Sequence, residues 1–237
     1  NNTICSESIT WNRQIRKKNI KAIMINTKNA NTFTGTQGAE ALESLSKNLA
    51  KNLTLREAQK KGGTSQVIKP NEILFASTGV IGEKFPIQQI KNSTPQLVEK
   101  LRDKQNKFIW FKAASSIMTT DTRPKLAYEE CRIWNKDIRL SAIAKGSGMI
   151  SPNMATMLAF VFTDADIPSI FLKSLLKRAM SNTFNAITVD SDTSTNDMVA
   201  IFSSNKIKTG KIYNVLDPKL KDFEMALQRL LLNLAKQ

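Results

Sequence analysis

A turn-rich segment near the middle of the chain runs directly into an apolar run. Residues 145–158 read KGSGMISPNMATML, and residues 157–162 are all apolar. Glycine, serine, proline and asparagine favour turns, whereas a short apolar run that follows them indicates a buried strand. The segment therefore predicts a loop-to-strand junction that carries one small hydroxyl residue, Thr156.

The chain contains no histidine, which limits how a hydroxyl group could be activated. Ser-His-Asp triads, Cys-His pairs and two-histidine zinc helices are all excluded from this chain. One route needs no side-chain base: if the peptide bond between Ala155 and Thr156 is cut, the new α-amino group of Thr156 can act as the base for its own hydroxyl. The unperturbed pKa of an α-amine is about 8, closer to neutrality than that of lysine. On chemistry alone, a threonine at a turn is more often structural.

The segment at 145–158 resembles the self-cleavage segment of the ornithine acetyltransferase family, also called the bifunctional glutamate N-acetyltransferases of arginine biosynthesis. Further stretches agree with that family in the same order along the chain: NAN at 29–31 with TG at 34–35, ASTGVIG at 76–82, IMTTDT at 117–122, and ITVD with DTSTND between 187 and 197. Agreement at this many ordered places is far more specific than one short motif.

The resemblance assigns roles to individual residues. It implies that Thr156 is the nucleophile, exposed by cleavage between Ala155 and Thr156, and that Thr78 and Gly79 form the oxyanion hole. It also implies that Thr119 and Lys145 bind substrate together with Thr156, with Thr120 as the alternative to Thr119. From the residues alone, the turn at 78–79 would be an ordinary tight turn and Lys145 a solvated lysine.

The same resemblance implies a function. The family moves an acetyl group from N-acetylornithine to glutamate by a ping-pong mechanism, and its bifunctional members also use acetyl-CoA as a donor. We expect no cofactor and no metal, and an assembly of two α and two β chains. A self-processing aminopeptidase with an N-terminal threonine nucleophile is the alternative that uses the same chemistry. A basic nucleic-acid-binding module, which would not need Thr156, is the third possibility.

Composition bears on that third possibility and on location. The net charge is +15, which suits a polyanionic partner. No basic stretch is interleaved with aromatic residues, so we expect scattered surface lysines and no nucleic-acid partner. The chain has no apolar run of 18 residues, and we expect a cytoplasmic protein that does not bind membranes. Cys5 and Cys131 lack CxxC spacing, so neither a disulfide framework nor a zinc site is expected.

The acidic loop near the C-terminal third was considered as a metal site. Asp190, Asp192 and Asp197 lie close together, but the loop lacks the glycine and the terminal glutamate of an EF-hand. We therefore interpret it as hydrogen-bonded scaffolding near the site.

Short apolar runs and amphipathic stretches mix without a strict βαβ rhythm. The expected fold is α/β, or α+β layered, with helices that cover two stacked β-sheets as the resemblance implies. Residues 1–155 would form an α part and residues 156–237 the start of a β part, packed as one catalytic domain. The family's pattern continues beyond residue 237, so we expect a fragment of a longer protein. We do not expect the isolated 237 residues to have full activity.

Local patterns predict individual elements. Short strands are expected at 21–25, 73–76, 157–162, 187–189 and 198–203. One helix face is marked by Leu42, Leu45, Leu49 and Leu53, and the last helix by apolar residues between 223 and 234. A helix start is predicted at Thr94 and Pro95, leading on towards Trp110, and another at 166–168. A β-hairpin around 135–137 would deliver Lys145 to the central loop.

Overall fold

The computed structural model describes residues 4–15, 19–60, 62–63, 66–104, 106–148, 157–189 and 194–237. Contacts between residues divide the chain into two compact units, residues 2–106 and residues 107–237. The boundary predicted between residues 155 and 156 is the proposed cleavage point and does not separate these two units. Both residues lie outside the described ranges. Within those ranges no helix is long and apolar enough to cross a membrane.

The described residues of the first unit form three α-helices and a two-stranded parallel sheet. In chain order the elements are α1 (Glu7–Gln14), β1 (Ala22–Asn26), α2 (Gly35–Lys60), β2 (Ile73–Ser77) and α3 (Ile87–Glu99). Strand β1 pairs with β2 from Ala22 opposite Ile73 to Asn26 opposite Ser77. Both strands were predicted, and each is shifted or extended by a single residue.

The long helix α2 supplies most of the core of this unit. The predicted face of Leu42, Leu45, Leu49 and Leu53 is confirmed, since all four side chains are buried. They form one cluster with residues of β2 and α3. Spacings of three and four place these residues on one stripe of the helix, and burying that stripe is what stabilises it.

The described residues of the second unit form a four-stranded sheet and three α-helices. Its elements are α4 (Lys107–Ser116), β3 (Lys125–Ile133), β4 (Lys136–Lys145), β5 (Leu158–Ala165), α5 (Ser169–Ser181), β6 (Met198–Ile207) and α6 (Lys221–Lys236). The strand order is β3-β4-β5-β6. The first two pairings are antiparallel, and β5 pairs with β6 in parallel.

Different helices pack against the two faces of this sheet. Helices α5 and α6 pack on one face, where alternate strand residues such as Leu140, Ala159 and Val161 join the core. On the other face Phe162 stacks on Phe202, with ring centroids 5.2 Å apart, and Trp110 of α4 meets Phe162 edge-on. Successive strand residues point to opposite faces, so β5 is buried on both sides.

The predicted hairpin is confirmed, and its turn is tighter than expected. Strands β3 and β4 pair from Lys125 opposite Ala144 to Ile133 opposite Lys136. Trp134 and Asn135 alone connect them, and Trp134 has a positive φ of 56°. Two-residue hairpin turns commonly require positive φ, which a non-glycine residue adopts at some cost.

Two local predictions are wrong. Helix α3 begins at Ile87 and contains Pro95, so Thr94 and Pro95 do not start a helix, and α4 is a separate helix. Buried Thr94 and Val98 hold this part of α3 against the core, and the Thr94 hydroxyl donates to the Ile90 carbonyl at 2.9 Å. Residues 187–189 form no strand; they follow a 3-10 turn over Phe184–Ala186.

Candidate active site

At one end of the four-stranded sheet, β3, β5 and β6 begin and β4 ends. Lys145, the last residue of β4, lies opposite Leu158, the first residue of β5. Leu158 in turn lies opposite Met198, the first residue of β6. Lys125 begins β3 beside them, opposite Ala144. Side chains just outside these strand ends therefore meet along one edge of the sheet.

Lys145 is buried at this edge, with only 1% of its surface exposed. Its ammonium donates to the Thr119 hydroxyl, with a distance of 2.9 Å from Nζ to Oγ1. Burial lowers the pKa of Lys145, and the charge of Asp121 partly opposes that shift. The structure thus brings together two of the three residues predicted to bind substrate, and Lys145 is not a solvated lysine. Thr120, the alternative, is exposed, and its hydroxyl contacts that of Ser147 at 2.8 Å.

Asp121 organises the surroundings of Lys145. Its Oδ1 accepts from Lys125 Nζ at 2.5 Å and from the Gly146 N–H at 2.7 Å, and its Oδ2 accepts from the Thr119 N–H at 3.3 Å. Burial raises the pKa of Asp121, but the hydrogen bonds from Lys125 and the two backbone N–H groups outweigh it, so the pKa is lowered overall. Lys125 binds this carboxylate directly, whereas the Lys145 ammonium has no ion-pair partner within hydrogen-bond distance among the described residues and is suited to an anionic ligand.

Asp197 lies at the same edge, immediately before β6. Its Oδ1 accepts from the Met157 N–H at 2.8 Å. Burial raises the pKa of Asp197 to about 7, although the Met157 N–H and the charge of Lys145 both act to lower it. The scaffolding role predicted for the acidic loop agrees with this contact. Asp190 and Asp192 lie outside the described residues, and so do Ala155 and Thr156.

The predicted oxyanion-hole residues belong to the other unit, at the end of β2. The backbone N–H of Thr78 already donates to the Asn26 carbonyl at 3.2 Å. Its side chain is 1% exposed, and its Oγ1 has no hydrogen-bond partner among the described residues. Buried hydroxyls are normally paired, so an unpaired one is an available donor. At this turn the backbone N–H of Thr78 is already bonded, and its hydroxyl is the group left to donate.

Gly79 is required by close backbone contact. Its φ is +135°, and an added Cβ would lie 2.1 Å from the carbonyl carbon of Lys28. Lys28 itself has a positive φ of 74°. Asn29 is anchored beside it, because its side-chain amide donates to the carbonyls of Glu83 and Lys84 at 3.3 Å. The turn that presents Thr78 is therefore tightly fixed.

Comparison with known proteins identifies the family. The model of the ArgJ family matches residues 1–237. The chain belongs to the ArgJ family. Arginine biosynthesis bifunctional protein ArgJ of Gluconobacter oxydans is 42% identical over 217 residues, which are 91% of this chain and 47% of that protein. The ArgJ protein of Rhizobium meliloti is 42% identical over 220 residues, or 92% of this chain and 49% of that protein. The chain thus spans about half the length of these ArgJ relatives.

Solved structures agree on the fold. The ArgJ protein of Bacillus halodurans has a TM-score of 0.54 and 25% identity, covering 65% of this chain and 73% of that chain. Ornithine acetyltransferase from Mycobacterium tuberculosis, complexed with ornithine, has a TM-score of 0.51 and 23% identity, covering 65% and 74%. The ArgJ family and the α/β class with helices on two sheets are confirmed; each sheet lies in a different unit.

Local sequence patterns do not reveal two parts of this candidate site. Lys125 was not singled out, although a lysine four residues after Asp121 is a natural partner for its carboxylate. The contact of Asp197 with Met157 had no local signal, because it depends on which strands are neighbours. Within the described ranges no three histidine, cysteine or acidic side chains are arranged to hold a metal ion.

Proposed function

We propose that the full-length protein transfers an acetyl group from N-acetylornithine to glutamate through Thr156. The observation that carries this proposal is the buried Lys145 ammonium, which donates to the Thr119 hydroxyl. Lys145 lies opposite Leu158, and Leu158 follows Thr156 by two residues. A buried cation with spare charge is well suited to the carboxylate that N-acetylornithine and glutamate share. Membership in the ArgJ family supports the reaction.

The proposed reaction has two acyl transfers. After cleavage between Ala155 and Thr156, the α-amine of Thr156 takes the proton of its hydroxyl, and the oxygen attacks the acetyl carbonyl. The amine of ornithine leaves with a proton, and an acetyl ester remains on Thr156. The amine of glutamate then attacks this ester and restores the hydroxyl. Fixed donors stabilise the oxyanion at each step, a role that we assign to the Thr78 hydroxyl and the Gly79 N–H.

The remaining features of the proposal concern partners and compartment. Acetyl-CoA is a possible second donor, and no cofactor is required. The pairing of β4 with β5 supports the association of the two pieces after cleavage, because one strand lies on each side of the cut. Two copies of each piece form the assembly that we propose. Free Cys5 and Cys131 are typical of a reducing compartment such as the cytoplasm.

Intact mass under denaturing conditions tests the first step. The full-length protein should give two pieces, the second beginning at Thr156, whereas its Thr156→Ala variant should remain uncut. A wild-type protein that remains uncut would overturn the proposed mechanism. If cleavage occurs but glutamate is not acetylated, and peptides are instead hydrolysed, the aminopeptidase alternative is favoured.

Steady-state kinetics of acetyl transfer test Lys145. Lys145→Met should raise KM for N-acetylornithine by at least about tenfold, since a charge-assisted hydrogen bond contributes roughly 1.5–3 kcal/mol. Lys136→Met is the matched control, because Lys136 lies at the exposed end of the same strand. Equal KM values for the two variants would show that Lys145 does not bind the substrate.

A further inference from the structure

Asp197 and Met198 together hold the main chain of Met157. The Asp197 carboxylate accepts from the Met157 N–H at 2.8 Å, and the Met198 N–H donates to the Met157 carbonyl at 3.0 Å. Met157 is 6% exposed and directly precedes β5. The residue after Thr156 is therefore fixed at both its backbone polar groups, and one of the two contacts is made by a side chain.

The charged group that acts on Asp197 is Lys145, the last residue of the neighbouring strand β4. Just before β5, Asp197 also accepts from the uncharged N–H of Met157. Asp121 and Lys125 lie beyond Lys145, where they bind each other and act on Lys145. Among the described residues, the Asp197 carboxylate thus interacts with one cation and one backbone donor, and both belong to the proposed acetyl-transfer site.

We propose that Asp197 is a positioning residue of this site: it fixes the main chain beside Thr156 through Met157, and it controls how much of the Lys145 charge a substrate carboxylate meets. This inference rests on the proposed function and extends it. Asp197 takes no part in bond making, and it acts only through Met157 and Lys145.

The second part of the inference predicts a pH dependence with a definite sign. The pKa of Asp197 is about 7, so below neutrality the carboxyl is neutral and the Lys145 charge is free to bind a substrate carboxylate. Above neutrality the ionised carboxylate competes with the substrate for Lys145 and repels it. KM for N-acetylornithine should therefore rise with pH, by up to about tenfold for each pH unit above the pKa of Asp197.

Two substitutions separate the two roles. Asp197→Asn keeps an oxygen that can accept the Met157 N–H, but it cannot ionise. This variant should cleave itself normally and lose the rise of KM with pH. Asp197→Ala removes the acceptor as well, so self-cleavage should slow by at least about tenfold, because a lost hydrogen bond of roughly 1.5 kcal/mol corresponds to that factor.

Asp164→Asn is the matched control. Asp164 lies near the opposite end of β5, and its Oδ1 accepts from the backbone N–H of Arg139 at 2.9 Å. It therefore makes the same kind of bond in the same sheet, away from Lys145. Its substitution should change neither KM nor self-cleavage.

The experiment measures KM and kcat of the full-length protein and its variants between pH 6 and 9. In parallel, the amide exchange of Met157 is followed by NMR in the uncut Thr156→Ala background with 15N-methionine labelling. Exchange should be faster with Asp197→Ala and unchanged with Asp197→Asn. The inference is overturned if Asp197→Asn retains the wild-type dependence of KM on pH, or if Asp197→Ala leaves the Met157 amide equally protected.

Failure of the proposed function gives a different result. A wild-type protein that transfers no acetyl group would overturn that function and the substrate role of Asp197. The exchange of the Met157 amide would still decide whether Asp197 fixes this main chain.

Discussion

Asp121 supplies negative charge beside two cationic side chains that have almost no access to water. Lys125 is 8% exposed and Lys145 is 1% exposed. The carboxylate binds Lys125 directly, and it also holds the backbone at Thr119 and Gly146 on either side of the Lys145 ammonium. Removing this anion would leave the buried Lys125 ammonium without its ion-pair partner, which is a costly change in a protein interior.

Asp121→Ala should therefore lower the free energy of unfolding by about 3 kcal/mol or more near neutral pH. The pKa of Asp121 is below its ordinary value of 3.8, so its stabilising contribution is complete above that value and is lost as the pH falls through the lowered pKa. Urea denaturation at several pH values should show wild type and variant converging only below about pH 4. Asp137→Ala is the control. Asp137 makes an exposed ion pair with Arg132, and its loss should be barely measurable.

Position 79 requires glycine, because there is no room there for a Cβ atom. Gly79→Ala should lower the free energy of unfolding by about 3 kcal/mol or more, because its Cβ would collide with the backbone of Lys28 and its φ is +135°. Gly82→Ala should cost only about 1 kcal/mol, since Gly82 has a positive φ of 82° but open space around it. Chemical denaturation of the two variants compares them, and equal costs would show that the contact with Lys28 is not tight.

Helix α6 closes the core of the second unit. Its apolar stripe is buried against β3 and β4 and the neighbouring helix α5, and Leu227, Leu230 and Leu231 are each 0% exposed. Leu230→Ala should cost about 3 kcal/mol through lost burial and the cavity that it leaves. Leu232→Ala, on the same helix but 39% exposed, should cost less than about 1 kcal/mol. Thermal unfolding followed by circular dichroism measures both, and similar losses would contradict this packing.

Elements with a strong local pattern were predictable from the sequence. The stripes of α2 and α6, the hairpin and the strand at 157–162 all follow from spacings within one segment. Pro95 was misleading because tertiary packing of Thr94 and Val98 outweighs the preference of proline for a first helical turn. The pairing of Lys145 with Thr119 could be expected only by resemblance to the family. The contact of Asp197 with Met157 requires β6 to lie beside β5, and no local pattern determines that order.

At the scale of the whole molecule, the proposed cut falls inside one compact unit. Strand β4 precedes the cut and β5 follows it, yet the two pair along their length and share a core. The two pieces should therefore elute together in native size-exclusion chromatography and separate only in denaturant. The uncut Thr156→Ala variant should elute at the same native volume. Pieces that separate without denaturant would show that β4 and β5 do not hold the cut molecule together.

The connection between β4 and β5 also bears on whether folding or the proposed cleavage comes first. While residues 146–157 are intact, they tether the two strands at an effective concentration of about a millimolar. A cut within this connection removes the tether, and pieces that come apart would find each other only at a rate set by their dilution in the cell. The proposed cleavage should therefore follow folding of the sheet that β4 and β5 share. Such a protein can be activated by folding, but it cannot return readily to activity after it has unfolded.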